Sequence, residues 1–265
     1  MRRLAVVFAL VAAAGCGGGE PSAKSVLEKT ANKLDDVRSG SLGLDLTAAT
    51  ADGKEVGFSV TGRFSFEPGT PLPVLDMNHA DVRGKDVTKT HVLSTGTEAF
   101  VRPQDDPAYY RLPEDALSGV GRRAALGGLR IEHWMLDPVL ERGDDVDTIK
   151  AKLDAVNAMN DLAGIAASVG ETRLLRRIED KDAERLRSLT GDSTITVLTG
   201  RRDQLLRRIE LTIRFAPSDP SLLPEPLRAL TPVSMRMTFT LSSPNSPVKV
   251  AAPASARPYS DLPKG

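Results

Sequence analysis

Cysteine is almost missing from this sequence. Cys16 is the only one, so no intramolecular disulfide can form and packing alone must hold the chain together. An excess of either charge is missing too: 35 Lys and Arg face 35 Asp and Glu, and nothing in that balance points to nucleic acid as a partner. The arginine pairs Arg122-Arg123, Arg176-Arg177, Arg201-Arg202 and Arg207-Arg208 are interspersed with acidic residues and read as mixed-charge, solvated surface. After Cys16 no apolar stretch approaches the ~20 residues needed to span a bilayer. His79, His91 and His133 share no metal-ligand spacing with one another or with Cys16. Asp35-Asp36, Asp105-Asp106 and Asp144-Asp145 are adjacent pairs whose side chains point apart, so they make no acid/base pair by themselves. Neither a Gly-x-Ser-x-Gly elbow, a phosphate-binding loop nor a dinucleotide fingerprint is present. The sequence therefore offers no catalytic residue, metal site or cofactor site, and the expectation is a non-enzymatic protein.

What is present begins at the N-terminus. Arg2 and Arg3 form a basic head, residues 4–14 are an unbroken apolar run, and Ala13-Ala14-Gly15 closes it with small side chains directly before Cys16. That is the layout of a secretory signal peptide. The small residues running into Cys16 resemble the lipobox of bacterial lipoproteins, with Ala13 where that family usually carries a large aliphatic side chain. The resemblance implies a diacylglyceryl group on the Cys16 thiol, cleavage before Cys16 and anchoring on the extracytoplasmic side of the cell membrane. The alternative is plain secretion after cleavage at an ordinary site. Gly17-Gly18-Gly19 reads as tether.

The mature chain alternates between two periods. Ser25 and Glu28 suggest a capping box opening a helix with Leu27, Ala31 and Leu34 on one side, ending near Ser39-Gly40. Leu42, Leu44 and Leu46 then alternate with polar residues, and Asp52-Gly53 supplies a hairpin turn. Val56, Phe58, Val60, Phe64 and Phe66 continue the alternation. Gly62 falls on the apolar side of that second strand, where a missing side chain permits a bend or a close approach. Three further strands are expected at 74–83, 87–94 and 98–102. A surface connection at 105–128 carries Tyr109, Tyr110 and Leu112.

Residues 131–141 read as a short helical or docked segment interrupted by Pro138. Trp134 there serves as a docking anchor or, more commonly for a lone tryptophan, as core. A strand at 148–153 precedes a helix capped by Asp154, followed by a second helix at 171–189. The hexapeptide at 174–179 recurs at 205–210, first in a helical pattern and then in a strand pattern, and reads as coincidence. Strands at 194–199 and 204–215, a proline-rich crossing at 217–232 and a last strand from Val233 through Met235, Met237, Phe239 and Leu241 complete the order. Pro253, Pro258 and Pro263 punctuate the tail.

This order predicts an α+β protein: a single large, strongly curved antiparallel sheet packed against amphipathic helices. With the lipobox, the Gly-rich tether, the capped helix and the hairpin from Leu42 to Phe66, it resembles the LolA/LppX superfamily of envelope lipoproteins, whose fold is an incomplete barrel covered by helices. The resemblance implies a signal peptide at 1–15, a lipidated tether at 16–21, a LolA/LppX-like domain at 22–252 and a tail at 253–265. It also implies an apolar space for a lipid or glycolipid, to be transported or presented at the cell envelope. That space would be lined by Phe58, Val60, Phe64, Phe66, Met159, Leu162, Met235, Met237 and Phe239. The same residues could equally form a filled core. The second functional reading is a scaffold or sensor module that binds another envelope protein.

Overall fold

Ser22, rather than Ser25, starts the first helix. In a computed structural model describing residues 21–49, 53–113, 130–168, 177–215, 221 and 233–263, its hydroxyl accepts from the Ser25 amide at 3.2 Å. This satisfies one of the free donors at a helix start. Helix α1 (Ala23–Leu34) buries Ala23, Val26, Leu27, Thr30 and Leu34 along one side. It ends at Asp35, four residues before the expected stop, because Ser39 and Gly40 already belong to the first strand.

From there the alternating segments pair in chain order. Strands β1 (Ser39–Ala49), β2 (Glu55–Ser65), β3 (Val74–Arg83), β4 (Asp86–Thr95), β5 (Ala99–Pro103) and β6 (Tyr110–Arg111) form an antiparallel meander. Residues 114–129, most of the rest of the expected surface connection, lie outside the described residues.

A 3-10 turn over Ile131–His133 leads into β7 (Met135–Glu141), so the segment expected to be helical or docked is an edge strand. Pro138 decides this. It cannot continue a helix, yet an edge strand tolerates it where the ladder is interrupted, and here the register shifts between Leu136 and Val139 with Asp137 at φ 51°.

Strand β8 (Val146–Leu153) is followed by α2 (Ala155–Ser168), capped as expected by Asp154, whose carboxylate accepts from the Asn157 amide at 3.1 Å. Helix α3 (Asp180–Leu189) is shorter than expected. Residues 177–179 precede it as irregular chain, held by the Asn160 side chain at the Ile178 amide, 2.6 Å, and 169–176 lie outside the described residues. The first hexapeptide copy therefore ends in irregular chain. The second runs into β10 (Leu206–Phe215), after β9 (Thr194–Gly200). Apart from Ser221, the crossing at 217–232 is outside the described residues. Strand β11 (Val233–Ser242) completes the large ladder, and β12 (Arg257–Pro258), from the tail, adds in parallel to β6.

The strand order is β12-β6-β5-β4-β3-β2-β1-β11-β10-β9-β8-β7. The first and last long strands, β1 and β11, meet in the middle of the sheet, and its two ends, β12 and β7, do not pair with each other. This is the expected class, one large and mostly antiparallel open sheet with helices packed against it. Trp134, Ile149, Leu186, Val197 and Ile209 are fully buried in a core that joins α1, α2, α3 and the sheet.

Candidate functional site

Register assigns the two faces of the sheet. On the inner face Leu42 lies opposite Gly62 and Leu241, Leu44 opposite Val60 and Phe239, and Leu46 opposite Phe58 and Met237. One strand further, Gly62 faces Met77 and Val60 faces His79, and Met77 in turn faces Val92.

The helices load this face unevenly. Helix α1 lies against β7, β10 and the 3-10 turn, and α2 against α3 and the same turn. Under them, Ile195, Val197, Ile209, Leu211 and Ile213 are at most 1 % exposed. Across β1, β2 and β4, Leu42, Leu44, Val56, Phe58, Val60 and Val92 are only half-buried against the core. An apolar strip therefore continues the core beyond the ground of the helices, with Gly62 at one end of its run along β2. Polar groups rim it on β3: His79 stacks on Phe58 with ring centroids 6.2 Å apart, and its Nε2 lies 3.9 Å from Asp81 Oδ1.

The residues expected to line an apolar space divide between strip and core. Phe64, Met159, Met235, Met237 and Phe239 are buried in the core, whereas Phe58, Val60, Phe66 and Leu162 are half-buried at its margin. Leu42, Leu44, Val92 and His79 join the strip without having been singled out from the sequence. The alternation carried the signal for the two leucines, and the register sets Leu44 opposite Val60 and Leu42 opposite Gly62. Cys16 lies outside the described residues.

On the outer face a chain of hydrogen bonds joins β2, β3 and β4. Arg63 binds the Asp76 carboxylate, His91 Nε2 donates to Asp76 Oδ1 at 2.8 Å, and His91 Nδ1 lies 2.8 Å from Tyr109 Oη. The Arg63 hydrogen bond, helped by that of His91, holds the Asp76 carboxyl below the usual carboxylate range although burial pushes the other way. A depressed folded-state value means that this carboxylate stabilises the fold at neutral pH, and that its contribution fades as pH falls through the ordinary value near ~4 toward the folded one. Asp76→Asn should cost about 1–2 kcal/mol at pH 7, a figure that allows for the partial exposure of the cluster. In urea unfolding the gap from the unsubstituted chain should narrow at pH 3; an equal gap at both pH values would contradict this role.

No protein-family model and no curated protein sequence matches the chain. The solved structure of LprF from Mycobacterium bovis is similar at 15 % identity, with 89 % of this chain and 100 % of that one covered and a TM-score of 0.47. A LolA superfamily protein from Nitrosomonas europaea is similar at 12 % identity, covering 88 % and 94 % of the two chains with a TM-score of 0.21. The open, mostly antiparallel sheet with helices packed against it agrees with the α+β architecture expected from the order of elements. Among the described residues no group of His, Cys, Asp and Glu could hold a metal ion, and no helix is long and apolar enough to cross a membrane.

Proposed function

We propose that this chain is a lipid-anchored envelope protein that binds an apolar ligand, a lipid or glycolipid, and carries or presents it on the extracytoplasmic side of the membrane. The observation that carries the reading is the half-buried strip of Leu42, Leu44, Phe58, Val60 and Val92, continuous with a core whose other half is sealed by helices. Each methylene that leaves water for such a surface gains about 0.8 kcal/mol, so an acyl chain laid along the strip gains several. The polar rim at His79 and Asp81 suits the junction between an acyl chain and its head group. Uptake of a lipid by detergent-free protein tests this binding.

The anchor is a separate part of the proposal. The six residue steps from Cys16 to Ser22 reach at most about 20 Å, which holds the domain close to the bilayer surface. Two acyl chains on Cys16 meet the two-signal requirement for stable anchoring. Cys16→Ser is expected to move the protein from the membrane fraction to the soluble extracytoplasmic fraction. Unchanged sedimentation with membranes would show that something else holds it there.

A further inference from the structure

The outer face of the sheet carries a second concave feature, which shares His79 of β3 with the rim of the apolar strip. Register sets two rows across β2, β3, β4 and β5: Thr61, Asn78, His91 and Arg102 in one, Ser59, Ala80, Lys89 and Gln104 in the other. The short side chains of Ser59, Thr61 and Ala80 sink the floor between the taller residues, and residues 105–107 wall the end. The result is an open cavity of about 670 Å³.

Two cations line it. Lys89 and Arg102 are diagonal neighbours on adjacent strands, about 7 Å apart at the backbone, so their charged ends can converge on one group. Among the described residues neither is paired with a carboxylate. Arg102 is instead held by stacking, its guanidinium carbon 4.9 Å from the centre of the Tyr109 ring, an arrangement that leaves the donors along its edge available. Nearby carboxylates are committed elsewhere: Asp76 to Arg63 and His91, and Asp106 to the Tyr110 hydroxyl and the Ala108 amide. Asp105, exposed on the end wall, is the second carboxylate of the lining beside Asp106, so recognition rests on the convergence of Lys89 and Arg102 on one group and not on an excess of positive charge. Asn78 and Gln104 add neutral amide donors on either side.

We infer that this groove is a phosphate-binding site, in which Lys89 and Arg102 clamp the anion while Asn78 and Gln104 donate to its remaining oxygens. The phosphate can belong to a free small molecule or to a lipid head group, and the chemistry of recognition is the same.

The test is a titration of inorganic phosphate into the ¹⁵N-labelled full chain carrying Cys16→Ser, at constant ionic strength set with sodium chloride. Saturable amide shifts confined to residues 78, 89–91, 102 and 104–106 are expected, with half-saturation in the millimolar range. Lys89→Gln, at a position that makes no ion pair among the described residues, should weaken binding at least about tenfold with an unchanged unfolding midpoint. Shifts that do not saturate, that chloride reproduces, or that survive Lys89→Gln unchanged would overturn the assignment. Co-sedimentation with phosphatidylglycerol vesicles but not phosphatidylcholine vesicles, dependent on Lys89, would identify a head group as the source. Phosphate binding without that vesicle preference would identify a free small molecule.

Discussion

Trp134→Ala is expected to destabilise the protein by about 3–5 kcal/mol, a large part of the ~5–15 kcal/mol that holds a domain of ordinary stability. Trp134 is completely buried and closes the 3-10 turn before β7, its amide donating to the Ile131 carbonyl at 3.1 Å. Its carbonyl accepts from the Asp154 amide at 2.8 Å, and its indole Nε1 donates to Asp161 Oδ2 at 2.7 Å. One residue thus fastens the end of β8, through its backbone, and helix α2, through its side chain, to the turn that α1 packs against. Alanine leaves an indole-sized cavity among groups fixed on three sides and removes the partner of Asp161. Urea unfolding followed by far-ultraviolet circular dichroism measures the loss. Trp134→Phe, which keeps most of the volume but not the N–H, should lose only about 1–2 kcal/mol. Equal, small losses in both variants would mean that the turn does not organise the core.

Gly62→Ala comes next, at about 3 kcal/mol or more, although it adds a single methyl group. A Cβ at this position would lie 2.1 Å from the Asp76 carbonyl oxygen and 2.8 Å from both Cα and Sδ of Met77. The carbonyl belongs to the backbone of β3, so relief requires the two strands to separate. The backbone at Gly62, φ +156°, is one that L residues rarely adopt, and this strain adds to the clash. Gly53→Ala provides the comparison. It is also strained, at φ +77°, but nothing lies within 4 Å of its Cβ, and its cost should be about 1–2 kcal/mol. Thermal unfolding of both variants separates the effects: the clash should make Gly62→Ala clearly the less stable, and equal midpoints would contradict the close approach of β2 and β3.

Both residues illustrate what the sequence made legible. The period-two alternation of Leu42, Leu44 and Leu46 with Val56, Phe58 and Val60 gave the central hairpin, and Gly62 stood out because it broke an apolar file. Strands 74–83, 87–94 and 98–102 lie within a residue or so of β3, β4 and β5, because polar turns at 84–85 and 95–97 bracket them. Capping at α1 misled because Ser22 and Ser25 both precede helical residues, and only the three-dimensional turn selects Ser22. Segment 131–141 misled because Trp134, Met135 and Leu136 carry no clear period, and the edge position that makes Pro138 tolerable is a property of the sheet order.

The candidate site was half legible. Alternation identified which side chains share the inner face, but their exposure depends on where α1, α2 and α3 settle, and local periodicity carries no information about that. The outer-face groove was invisible for a related reason. Lys89, His91 and Arg102 come together only through the pairing of β4 with β5.

The claim that the inner strip holds an apolar ligand is tested most directly by native mass spectrometry of the full chain carrying Cys16→Ser, purified without detergent and then incubated with a lipid mixture. The expected spectrum contains, beside the bare protein, a species heavier by the mass of one lipid. Val60→Glu, which places a charge in the middle of the strip, should abolish that species while leaving the fold intact by circular dichroism. A spectrum with the bare protein alone, or a lipid-bound species that persists unchanged in Val60→Glu, would contradict ligand binding on this face.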